Sequence, residues 1–139
     1  MHYVDTSVLA AYYCPEPGSL KVEKALRKLP VPVISHLVET ELYSAVSRKV
    51  RMKELSRQDA NLIISQFNLH VEKRFYHMLP IGARHYRIAR EWLGRVDTAL
   101  RTLDALHLAV AYAENIPILS TDSNLCKAAT FFGIKVNKI

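Results

Sequence analysis

The sequence predicts a three-layer α/β protein, a parallel sheet of four to five strands with helices on both faces. Two observations carry this. Short apolar runs recur along the 139-residue chain. Between them lie longer stretches whose apolar residues return at helical spacing. Strands kept apart by helices in this way pair in parallel and are covered on both faces, with right-handed crossovers. Such sheets bind ligands outside the carboxyl ends of their strands, where the strand order switches direction.

Taken in order, His2 to Val4 is a short strand and Thr6 to Tyr13 a helix, stopped before Pro15 and Pro17. Ser19 is placed to cap a second helix with Val22, Ala25, Leu26 and Leu29 on one face. Pro30 and Pro32 break it, and Val33-Ile34-Ser35 is the second strand. Leu37 to Val50 is helical, with Leu42, Ala45, Val46 and Val50 at helix spacing. Ser56 with Asp59 marks a further helix start, whose buried face is Ala60, Ile63, Ile64, Phe67 and Val71. Tyr76 to Leu79 is a third strand. Gly82 leads into a helix using Tyr86, Ala89, Trp92 and Leu93. Leu103 to Ala113 is helical and apolar nearly all round, hence buried. Pro117-Ile118-Leu119 is a fourth strand, Ser123 to Phe132 a helix ended by Gly133, and Lys135-Val136 a fifth strand.

No repeat or linker divides the chain, so residues 1–139 read as one domain. Half the residues are apolar and 23% are charged, the balance of a globular protein able to bury a core. Two cysteines, Cys14 and Cys126, make no disulfide framework. Strand-like residues begin at Met1, so no signal peptide is read, and no apolar run approaches the length of a membrane helix. The expected location is the cytoplasm. The net charge of +6 favours acidic partners such as nucleic acid.

Four acids stand out. Asp5 follows the first strand and Asp122 the fourth, which puts both at the carboxyl edge of the sheet. Each is equally suited to cap the helix that follows. Glu41 lies within a helix on or beside the apolar stripe, with Leu37, Val38 and Ala45 as neighbours. A carboxylate there needs a cation, an Arg partner or access to water. Asp104 opens the apolar helix, as cap or, where Thr102 caps instead, free to point into a site. Gathered together, these acids suit Mg²⁺ or Mn²⁺, hard cations that prefer oxygen ligands.

Whole segments then carry a resemblance: Val4-Asp5-Thr6-Ser7-Val8-Leu9, Glu39-Thr40-Glu41-Leu42-Tyr43-Ser44-Ala45, Leu119-Ser120-Thr121-Asp122 and, most specific, Leu100-Arg101-Thr102-Leu103-Asp104-Ala105-Leu106-His107-Leu108-Ala109. Over its whole length the chain resembles the PIN-domain nucleases, in particular the VapC branch of toxin–antitoxin systems. The resemblance implies a sheet ordered 3-2-1-4-5 and a metal-binding quartet at Asp5, Glu41, Asp104 and Asp122. It selects Glu41 over Glu39, because the family's acid directly precedes the apolar position held by Leu42. Ser120 stands where the family usually has Thr, and keeps the hydroxyl; with Thr6 it is expected to hold a carboxylate or a water on the metal. The activity implied is a Mg²⁺- or Mn²⁺-dependent endoribonuclease that hydrolyses RNA. It is expected to work as a homodimer and to be silenced by a VapB-like antitoxin. A nuclease of RNA processing without an antitoxin, or a non-catalytic binding domain, are the competing readings.

Other chemistries find no support in the motifs. The histidines, His107 among them, lack zinc-ligand spacing and read as structural. There is no Ser or Cys nucleophile motif, no G-x-G-x-x-G and no P-loop. The basic residues fall in clusters around Arg48 to Lys53, Lys73-Arg74 and Arg84 to Arg101, on helix faces that solvent or RNA phosphates would cover.

Overall fold

The computed structural model describes residues 1–14 and 16–139. Along the chain its elements are β1 (His2–Val4), α1 (Thr6–Tyr13), α2 (Ser19–Arg27), β2 (Pro32–Ser35), α3 (His36–Arg51), α4 (Arg57–Glu72), β3 (His77–Leu79), α5 (Ala83–Gly94), α6 (Thr102–Ala113), β4 (Ile118–Ser120), α7 (Ser123–Phe131) and β5 (Val136–Lys138). All four strand pairings are parallel, and the order is β3-β2-β1-β4-β5. The predicted fold class and strand order are those observed. Right-handed crossovers put α1 to α4 on one face and α5 to α7 on the other. The packing agrees: α1 lies against α2 and α3, α3 against α4, and α5 against α6.

The three inner strands bury nearly every side chain. Tyr3 and Val4 of β1, Val33 and Ile34 of β2, and Ile118 and Leu119 of β4 are all in the core, as a sheet covered on both faces requires. The edge strands are polar where they meet water, with His77 on β3 and Asn137 and Lys138 on β5 exposed, which discourages further pairing. On the first face Val38, Leu42 and Val46 of α3 meet the sheet, and Phe67 of α4 is fully buried. On the second, the Trp92 ring of α5 stacks on Phe132 at 4.2 Å and meets Tyr112 of α6 edge-on at 5.4 Å.

Local chemistry accounts for most helix ends. Ser56 caps α4 by accepting the Asp59 backbone N–H at 3.0 Å. Gly133, at φ +73°, takes the left-handed turn that stops α7. Pro15 falls outside the described residues, although α1 ends at Tyr13 as expected.

Four expectations are corrected. Ser19 does not cap α2; Gly18 at φ +101° holds that position, and the Ser19 hydroxyl instead donates to the carbonyl of Ala11 at 2.6 Å. Tyr86 faces solvent, 58% exposed, and His85 takes its place on the buried face of α5, its Nδ1 accepting the Gly82 N–H at 2.9 Å. Thr102 lies inside α6, and the cap position belongs to Arg101, whose side chain makes no capping hydrogen bond. The buried run of α6 is Ala105 to Ala111, while Leu103 and Tyr112 at its ends are exposed.

Candidate active site at the carboxyl edge

The chain leaves β1 toward β2 and β3 on one side, then returns to β4 and β5 on the other. The crevice between the ends of β1 and β4 is therefore the switch point. A cavity of about 350 Å³ opens there, lined by Asp5, Glu41, Asp104 and Asp122 with Thr6, Ser7, Arg48 and His107. The fold thus brings all four predicted acids and Thr6 to one cavity, from α1, α3, α6 and the turn after β4. Ser120 lies just beneath, fully buried at the end of β4.

Asp5 is both cap and cavity wall. Its Oδ2 accepts the Ser7 backbone N–H at 3.3 Å, the Ser7 hydroxyl at 2.5 Å and the Ser120 hydroxyl at 2.9 Å. Ser120 in turn accepts the Asp122 N–H at 2.9 Å, so this one hydroxyl ties the ends of β1 and β4 together. Asp122 caps α7, its Oδ1 accepting the N–H groups of Asn124 at 2.7 Å and Leu125 at 3.1 Å. The capping and site readings of these two acids are therefore compatible.

Among the described residues Glu41 pairs with no arginine. Its Oε2 accepts hydrogen bonds from His107 Nε2 at 2.6 Å and from the Thr6 hydroxyl. Burial pushes the Glu41 carboxyl up, but the His107 hydrogen bond, the imidazole's charge and the Thr6 hydrogen bond together outweigh it and hold the group below its ordinary value. Asp104, in the first turn of α6, touches Arg101 through Oδ2 at 3.4 Å.

A common pattern emerges. Each acid has one oxygen held by the protein and one without a hydrogen-bond partner among the described residues: Oδ1 of Asp5, Oε1 of Glu41, Oδ1 of Asp104 and Oδ2 of Asp122. An all-oxygen set of this kind suits a hard divalent cation. Among the described residues no three His, Cys, Asp or Glu side chains are gathered tightly enough to hold an ion as they stand. The acids ring the cavity, and among the described residues Asp104 is tied only to the exposed Arg101.

Three residues of the site escaped the sequence reading. Ser7 holds Asp5; an Asp-x-Ser pair at a strand end, where the hydroxyl can return to the carboxylate, was its signal. His107 read as structural, yet it is the buried partner of Glu41; it sits three residues after Asp104, on the same helix face. Tyr3 looked like core, and its phenol is fully buried, yet the hydroxyl meets both His107 and Ser35. Burial pushes the Tyr3 phenol well above its ordinary range, so it stays neutral. Of the basic clusters, Arg48 lines the cavity. Cys14 and Cys126 are both buried and unpaired.

Residues 2–130 match the model of the PIN domain. The chain is 26% identical to Ribonuclease VapC1 of Mycobacterium tuberculosis over 125 residues, covering 90% of this chain and 88% of that protein. Among solved structures it is similar to Mycobacterium tuberculosis VapC20, a toxin that cleaves the sarcin-ricin loop, with a TM-score of 0.72, 21% identity and coverage of 92% of this chain and 95% of that one. It is also similar to VapBC2 of Rickettsia felis bound to a promoter DNA fragment, with a TM-score of 0.71, 18% identity and coverage of 100% and 99%. The likenesses to these two structures speak to the fold. The family model, matching almost from end to end a chain whose acids meet at the carboxyl edge of a 3-2-1-4-5 sheet, shows that this protein belongs to the PIN-domain family.

Proposed function

We propose that residues 1–139 form one PIN domain that acts as a metal-dependent endoribonuclease, the toxin of a VapBC-type pair. Asp5, Glu41, Asp104 and Asp122 hold Mg²⁺ or Mn²⁺ in this reading. The observation that carries it is the convergence of four carboxylates on one cavity, each with an oxygen to spare. A module that only binds RNA gains nothing from gathering four like charges, which would repel phosphates. The similarity to Ribonuclease VapC1 supports RNA as substrate. The similarity to the VapBC2 structure supports a VapB-like antitoxin as partner. A homodimer in the cytoplasm completes the reading; no helix among the described residues is long and apolar enough to cross a membrane.

The chain's own residues have distinct tasks. A divalent cation, when bound, polarises the phosphodiester and makes water a better nucleophile. Ser7 and Ser120 fix one oxygen of Asp5, so the other keeps a set direction. His107 and Thr6 do the same for Glu41, and the first N–H groups of α7 for Asp122. Arg48, on the cavity wall, offers a cation to an RNA phosphate.

The test is cleavage of RNA by the purified protein. Activity should require added Mg²⁺ or Mn²⁺, vanish with excess chelator, and fall by orders of magnitude in Asp5→Asn and Asp104→Asn. Undiminished cleavage in chelator would sink the metal role.

A further inference from the structure

We propose that Tyr3 and His107 are positioning residues, a buried hydrogen-bond relay that aims Glu41 into the cavity. The inference rests on the metal-dependent reading above and extends the hold of His107 on Glu41 back through Tyr3 to Ser35. The relay runs through side chains of five elements. Ser35, at the end of β2, meets the Tyr3 hydroxyl at 2.8 Å; Tyr3, on β1, meets His107 Nδ1 at 2.8 Å; His107, on α6, reaches Glu41 Oε2 on α3 at 2.6 Å. Thr6 of α1 closes on the same Glu41 oxygen. Tyr3 and Ser35 are fully buried and His107 is 2% exposed.

The protons can be counted. Glu41 as a carboxylate has none to give, so Nε2 of His107 bears the hydrogen and donates it. With a neutral ring, Nδ1 accepts from the Tyr3 hydroxyl, which accepts from Ser35. With a charged ring, Nδ1 donates to the Tyr3 oxygen and the phenol donates to Ser35. Every polar atom is satisfied either way, and the same Glu41 oxygen is held. A buried, satisfied network of this kind has few alternative arrangements. Ser44 and Arg48, beside it on the cavity side of α3, make no hydrogen bond to Glu41, and only His107 and Thr6 hold it among the described residues. Without a donor on that side, its three side-chain torsions would let the carboxylate swing toward water. Held at Oε2, it presents Oε1. Partners behind a metal ligand commonly act in this way.

A buried polar cluster that serves only the fold would show the same distances, so the test separates stability from aim. Mn²⁺ binding is measured calorimetrically on metal-free protein, beside thermal melts, for wild type, His107→Leu, His107→Gln and Tyr3→Phe. His107→Gln can still donate to Glu41, because its amide nitrogen lies where Nε2 does. The expected result is Mn²⁺ affinity about 10–100-fold weaker in folded His107→Leu, largely restored in His107→Gln. Tyr3→Phe should lose about two- to tenfold, the worth of one hydrogen bond. The loss in His107→Leu should shrink when Glu41→Gln is already present, since both act on one ligand. Unchanged affinity in folded His107→Leu, or a loss simply additive with Glu41→Gln, overturns the relay while leaving the metal site standing. Should His107→Leu fail to fold, Tyr3→Phe decides: unchanged affinity there overturns the relay. Absence of Mn²⁺ binding by the wild type overturns both this inference and the metal-dependent reading.

Discussion

Asp122 and Asp104 face the same cavity but are attached to the fold in different ways. Asp122 caps α7 with two backbone hydrogen bonds, whereas among the described residues Asp104 has only an exposed arginine for a partner. Removing the cap costs about 1 kcal/mol, and Asn replaces Asp at a cap with little loss. Asp122→Ala is therefore expected to destabilise the metal-free protein by about 1 kcal/mol in urea unfolding, and Asp122→Asn by much less. Asp104→Asn should leave stability unchanged or raise it, because a like charge leaves the ring of acids. All three should depress cleavage. Normal cleavage by destabilised Asp122→Ala would return that residue to a purely capping role. Each acid was legible as a candidate, Asp5 and Asp122 by following strands, Glu41 by lying on or beside an apolar stripe and Asp104 by opening an apolar helix, but capping explained the three Asp residues equally well and it was the resemblance that joined the four. His107 and Tyr3 were not, because a histidine in an apolar helix and a tyrosine in a strand both look like core. Their work becomes visible only once α6, β1 and α3 are packed together.

At the scale of elements, periodicity located every helix and strand, and the errors are two caps, the buried face of α5 and the exposed ends of α6. Thr102 and Ser19 have the chemistry of caps, yet the neighbouring Arg101 and Gly18 occupy those positions; a hydroxyl's presence does not say which residue the backbone turns on. The end of α5 holds a further surprise. Beyond the cap residue Arg95, Val96 has φ +58°, and its N–H reaches the Leu93 carbonyl at 3.3 Å. A β-branched residue in the left-handed region is an outlier, held in a position that glycine usually fills. Its side chain is 88% exposed and contributes almost no packing. The strain is worth about 1–2 kcal/mol, partly offset because glycine frees the unfolded chain. Val96→Gly is accordingly expected to stabilise the protein by up to about 1 kcal/mol, seen as a raised midpoint in chemical denaturation. A lowered midpoint would mean that the valine side chain makes contacts which outweigh its backbone strain.

For the whole molecule, alternation of strands and helices was enough to imply a parallel sheet, but not which strands lie side by side. The order 3-2-1-4-5 came from the resemblance, because the pattern of apolar runs is the same for many orders of a doubly covered sheet. Charge follows a similar division. The chain carries 19 Lys and Arg against 13 Asp and Glu, and four of those acids gather at one cavity. The remaining surface is thus more basic than the net charge suggests, and RNA drawn to it must cross from cationic surroundings into an acidic centre. Binding carried by phosphate contacts releases counterions, so it weakens steeply with salt. Three such contacts on single-stranded RNA imply that raising salt from about 50 to 200 mM costs roughly twentyfold in affinity. The measurement uses Asp104→Asn, which is expected not to cleave, titrated with a labelled single-stranded RNA across that range. A steep salt dependence, with Arg48→Ala reducing the slope, is expected if Arg48 holds a phosphate at the cavity wall. An affinity indifferent to salt would show instead that the basic surface plays no part in capturing substrate, and that recognition lies in contacts to the bases.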